Sequence, residues 1–201
     1  MKIWMIAGSL TLVGLIGATS LDEPIASAPP EQWTLDPVHS TAMFRIHHAG
    51  AGRFWGRFNE VTGTVDWNRT NTDAPNFDVS VKADSVDSGN DKLDGHLKAP
   101  DFFNAREFET ITFESEGGTR LEDGRWRIVG DLTLLGVTKP VTADVEITGV
   151  MGSPVVAKAG WEARFEINRS DFGMDWGIDR GALSDDVQLI IGLEGGIEPG
   201  G

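Results

Sequence analysis

An all-β fold, an eight-stranded antiparallel barrel with one short helix covering an end, is what three observations in this sequence predict. Apolar and polar residues alternate through almost every segment after residue 33, which buries one face of a strand and wets the other. A single stretch, Asn90 to Asn104, departs from that rhythm and carries helical spacing instead. No second set of helical patterns is present to cover the apolar face of a sheet, so the sheet is expected to curl on itself and remove its own edges. A two-sheet sandwich of similar strand number is the structural rival.

Composition sets the outer bounds. With 201 residues, 40% of them hydrophobic, the chain suits one domain with a substantial core. Its formal charge of −14 repels phosphate backbones, so nucleic acid is not an expected partner. Cysteine is absent, which removes disulfides, thiolate metal sites and thiol nucleophiles. Lys2, the apolar run from Ile3 to Gly17 and the small residues Ala18-Thr19-Ser20 read as a secretory signal peptide over 1–20. An uncleaved membrane anchor is the alternative. A flexible leader over 21–32 then precedes a domain over 33–195, expected in the periplasm.

The strands are read in order. Trp33 to His48 opens the domain, with Phe44, Ile46 and His48 alternating against Met43, Arg45 and His47, and Ala49 to Gly56 is read as the first connection. Val61, Gly63, Val65 and Trp67 share one face; Phe77, Val79 and Val81 follow, then Ile111 and Phe113. Trp126, Ile128, Leu132 and Leu134 form the fifth strand. Val141 to Ile147, Trp161 to Ile167 and Val187 to Leu193 complete eight. Inward Gly63 and Gly130 suit strong bending or space inside. Within the exception, Leu93 and Leu97 lie four apart on one helix face, Pro100 stops the helix, and Phe102 and Phe103 follow. The helix is thus expected between strands 3 and 4.

If successive strands run up and down, their connections fall alternately at two ends. End A then collects Ala49 to Gly56, Ala83 to Thr110, the Gly136 turn and Arg169 to Asp186. Phe54, Trp55, Leu93, Leu97, Phe102, Phe103, Phe172, Met174 and Trp176 all belong there. End B holds short polar turns. Long aromatic connections at one end mark it as the entrance of a cavity, with the helix as its lid or wall.

Reactive constellations are weak by comparison. His39, His47, His48 and His96 have no zinc-type spacing, and no metal site is expected. The aspartates 171, 175, 179, 185 and 186 suit a solvated loop, and no nucleophile elbow, phosphate loop or dinucleotide fingerprint appears. No catalytic residue and no cofactor are assigned.

WTLDPVHSTAMFRIHHAG, GRFNEVTGTVDW, HLKAPDFFN with ETITF, GDLTLLGVTKPVT and INRSDFGM, taken together, resemble the YceI-like family of exported bacterial proteins over about Trp33 to Glu194. That resemblance implies a lipocalin-like barrel whose apolar tunnel accommodates a polyisoprenoid, an isoprenoid quinone or a similar amphiphile. His48, Leu97, Phe102 and Phe103 stand at family motif positions, whereas Ala49, Gly52 and Trp55 depart from the pattern. Inward parity, the end A aromatics and the resemblance give the expected ligand-facing set: Phe44, Ile46, His48, Phe54, Trp55, Phe58, Val79, Val81, Leu93, Leu97, Phe102, Phe103, Phe113, Leu132, Leu134, Trp161, Phe165, Phe172, Met174 and Leu189. The expected function is to bind, carry or store such a lipid. An enzyme or electron-transfer accessory acting on it, or a stress-related interaction protein with a packed barrel, are the alternatives. Partners left open are a transient membrane or membrane-protein contact and a homodimer.

Overall fold

Alternation along the chain becomes strand pairing in a computed structural model that describes residues 30–70, 73–153 and 156–197. The expected signal segment 1–20 and leader residues 21–29 lie outside the described residues. Glu31 and Gln32, expected in the leader, begin a strand instead. In chain order the elements are β1 (Glu31–Leu35), β2 (Thr41–His48), β3 (Gly52–Phe58), β4 (Val61–Trp67), β5 (Asn76–Lys82) and β6 (Val86–Asp87). Helix α1 (Asp91–Leu97) follows, then β7 (Thr110–Arg120), β8 (Trp126–Leu134), β9 (Val137–Gly152), β10 (Ala157–Asn168) and β11 (Leu183–Ile197).

Every pairing is antiparallel, and β11 pairs with β10, with β2 and with β1, which closes the sheet. Eleven segments make an eight-stranded barrel because two walls are each bent in half and the two-residue β6 only flanks one of them. β1 and β2 meet the same β11 at Leu35↔Gly195 and Ala42↔Ile191, so they are one wall broken between Asp36 and Ser40. β3 and β4 form the next wall, parted at Asn59 and Glu60. The placement of the helix between strands 3 and 4 is corrected accordingly: α1 follows β6, a two-residue strand on the flank of β3.

A seam explains that position. β3 pairs with β2 along its length, but on its other side it meets, among the described residues, only β6, at Arg57↔Asp87 and Phe58↔Val86. β5 ends at Lys82 and β7 begins opposite it at Thr110, so nothing strand-like continues the wall beside Gly52–Gly56. The segment 88–109 fills this gap. Asn90 caps α1 by accepting the Leu93 N–H at 3.1 Å, and the helix directs Leu97 into the core. Phe103 then reaches across to Phe58 and Phe44, with ring centroids 4.9 and 5.9 Å apart. The helix segment is therefore a side wall as much as an end cover.

Asp87 ties the seam together. The Asn59 amide, the Gly89 N–H and the Arg57 guanidinium all donate to its carboxylate and hold its pKa down to about 2. A depressed carboxyl stabilises the fold fully above its unfolded value of 3.8, and that contribution is lost as pH falls through about 2. Asp87→Asn is expected to flatten the fall in thermal midpoint between about pH 4 and pH 2, read by scanning calorimetry.

End B is closed from within. Trp33 and Trp67 both meet Trp161 edge-to-face and lie tilted to each other, at centroid distances of 5.9 to 6.0 Å, and the Trp33 indole N–H donates to the Trp67 carbonyl at 3.1 Å. Trp161, also fully buried, has no hydrogen-bond partner for its indole nitrogen among the described residues. Trp33→Phe is expected to destabilise by about 1–3 kcal/mol more than Trp161→Phe in urea unfolding, because only the first strands a buried carbonyl.

The inward glycines serve backbone approach and bending rather than empty space. A Cβ at Gly130 would sit 2.5 Å from the Glu114 carbonyl oxygen, opposite the register shift between Ser115 and Gly117. Gly63 has φ near 141°, and a Cβ there would lie 2.0 Å from the Asp78 carbonyl oxygen.

Candidate functional site

Between the sheet, the 88–109 segment and the tryptophan floor lies a cavity of about 640 Å³. The four end A connections converge at its mouth. Ala49 N–H donates to the Ala182 carbonyl at 2.9 Å, and the rings of His96 and Phe102 each stand 5.3 Å from Trp176. The turn at Gly136 lies against the Phe108 ring.

Each wall contributes through its inward residues. β2 supplies Phe44, Ile46 and His48; β3 supplies Phe54 and Phe58; β5 supplies Val79 and Val81. Leu93 and Leu97 come from α1, and Phe102 and Phe103 from the turn after it. Phe113 lies on β7, Leu132 and Leu134 on β8, Trp161 and Phe165 on β10, Leu189 on β11, and Met174 on the last loop. All of these were expected to face the interior.

Two expected residues do not reach the cavity. Trp55 lies on β3, where alternation turns Phe54, Gly56 and Phe58 inward and Trp55 outward; it is 41% exposed with the Arg45 guanidinium 5.2 Å from its ring. Phe172 is buried in a short 3-10 turn, Arg169–Phe172, and packs into the surrounding core without lining the cavity. Trp55 therefore does not narrow the mouth.

Other lining residues fall outside the expected set. Phe77, Ile128, Val145, Ala163 and Ile191 stand at inward parity and could have been included on that signal alone. Arg169 could not. It is 2% exposed, although a charged residue at a strand end ordinarily reads as solvent-facing. Its Nε, Nη1 and Nη2 donate to the carbonyls of Ser184, Met174 and Trp176 at 2.9, 3.1 and 2.9 Å, which ties the last loop into one piece. Burial lowers the guanidinium pKa, and the charges of Asp185 and Asp175 oppose that shift.

Asp185 accepts the Ser170 N–H and hydroxyl at 2.9 and 2.7 Å. Asp36, His39 and Glu194 bring donor atoms within 4.8 Å of one another, but the Lys158 ammonium ion-pairs with Glu194 and stands 3.7 Å from Asp36. That cluster already contains its cation.

A family model described as the YceI-like domain matches residues 33–195. The UPF0312 protein of Yersinia pestis (strain Pestoides F) is 35% identical over 187 residues, covering 92% of this chain and 96% of that protein. The UPF0312 protein of Yersinia enterocolitica is 34% identical over the same length. Among solved structures, Campylobacter jejuni YCEI protein has a TM-score of 0.65 at 30% identity, covering 71% of this chain and 84% of that one. A polyisoprenoid binding domain from Saccharophagus degradans has a TM-score of 0.64 over 83% of this chain and 98% of that one, and at 16% identity shares the fold. Burkholderia cenocepacia BcnA likewise shares the fold, with a TM-score of 0.70 at 19% identity over 80% and 98% of the two chains. Closed barrel, side-wall helix and matched sequence together make this chain a member of the YceI-like family.

Proposed function

We propose that the protein binds a long-chain apolar molecule, a polyisoprenoid or isoprenoid quinone, and carries or stores it in the periplasm after export. The observation that carries this reading is the cavity of about 640 Å³, walled almost wholly by aliphatic and aromatic side chains. Water gains little in such a space, whereas an apolar chain sheds its hydration there. Burying on the order of 400 Å² of chain at ~25 cal/mol per Å² contributes about 10 kcal/mol before association costs, so tight binding needs no reactive group. The polyisoprenoid binding domain of Saccharophagus degradans, which has the same fold, supports the choice of ligand class.

Titrating delipidated protein with an isoprenoid quinone tests the reading, since a quinone seated near Trp161 quenches its fluorescence. Saturable quenching at one quinone per chain is expected. Linear, unsaturable quenching would count against it.

A further inference from the structure

Charge is distributed along the cavity wall in the opposite sense to the whole chain. Asp and Glu number 31 against 17 Lys and Arg, yet among the described residues no carboxylate lines the cavity. Its ionisable lining residues are His48, Arg53, His96 and Arg169, and all four stand at end A. Two of them are committed: Arg169 to three carbonyls, and His96 to Asp101 at 3.4 Å. His48 and Arg53 are not.

These two flank the tight turn between β2 and β3, where Ala49 and Gly50 both adopt positive φ and His48 pairs with Gly52; both are exposed, and Arg53, at the outward parity of β3 beside Trp55, lines the cavity only at this open end. Among the described residues, neither side chain has a hydrogen bond or ion pair. An acidic protein offers many carboxylates to a guanidinium, and Arg57, Arg69, Arg125, Arg127 and Arg164 all take one. Among the described residues Arg45, Arg106, Arg120 and Arg180 take none either; Arg53 differs from those four in lining the apolar chamber.

We infer that His48 and Arg53 hold the anionic head group, a phosphate or a carboxylate, of an amphiphile whose chain occupies the cavity; this rests on the lipid-binding reading above. A guanidinium presents two parallel N–H donors to either oxyanion, and an imidazole adds a third. A lipid with a neutral head is held through its chain alone.

The test titrates delipidated protein by calorimetry with geranylgeranyl monophosphate, geranylgeraniol and inorganic phosphate. The monophosphate is expected to bind roughly three- to tenfold more tightly than the alcohol at low salt, with the ratio shrinking as ionic strength rises. The ratio is expected to fall to near one in the Arg53→Ala, His48→Gln double variant and to persist in the Arg106→Ala control. Equal affinities in the unaltered protein, or a ratio that survives in the double variant, would overturn the head-group assignment while leaving the cavity reading intact. Inorganic phosphate displacing the monophosphate at similar concentration would also overturn it, in favour of a free-anion site. Failure of both amphiphiles to bind would overturn the cavity reading along with it.

Discussion

Arg169→Ala is expected to lower the free energy of unfolding by about 3–5 kcal/mol, measured by urea denaturation. The guanidinium is 2% exposed and satisfies the carbonyls of Ser184, Met174 and Trp176. Alanine leaves three main-chain acceptors in an apolar setting without a donor, and it leaves a void. Because Met174 and Trp176 line the cavity and Trp176 packs against Phe102 and His96, the loss spreads to the mouth. Arg169→Lys keeps the charge but lacks the fork that spans three carbonyls, so it is expected to recover less than half of the loss. A change below about 1 kcal/mol in the alanine variant would show that the loop is held by other means.

Ala163→Phe is expected to reduce binding of an isoprenoid quinone at least tenfold while leaving stability unchanged or slightly raised. Ala163 lines the cavity from β10, flanked in the sheet by Val145 and Ile191. A chamber of about 640 Å³ has room for a phenyl ring, and the added ring buries apolar area where a ligand chain would otherwise lie. In a solid core the same change would overpack and destabilise by about 1–3 kcal/mol. The sign of the stability change therefore separates a binding barrel from a packed one, independently of any ligand assay.

Much of the barrel was legible because its strands alternate cleanly. β4, β5, β8 and β10 were each found from inward Val, Phe, Leu and Trp, and counting connections by parity placed the mouth at the end where Ala49 meets Ala182. β3 was missed for a local reason. Its inward row is Phe54, Gly56 and Phe58, and the middle position is glycine because the Phe44 ring would sit 2.2 Å from a Cβ. With glycine inside and Trp55 outside, hydrophobicity no longer marks the face, so the segment looked like a loop and Trp55 like a cavity residue. Treating β3 as loop also hid the seam that α1 fills.

Arg169 escaped for a different reason. Nothing in the sequence around it foretells burial; the three carbonyls that accept from it lie up to 15 positions away, and only folding of the loop 173–182 brings them together. The chain's acidity likewise concealed the basic rim, since Arg53 and His48 become neighbours of one chamber only once β2 and β3 pair.

The most direct measurement is mass spectrometry of organic-solvent extracts from protein purified under native conditions, alongside the Ala163→Phe variant. A long-chain isoprenoid or quinone, recovered in roughly stoichiometric amount from the unaltered protein and much depleted in the variant, is the expected result. Extracts without lipid, from a protein that also fails to take up a quinone after delipidation, would contradict the account.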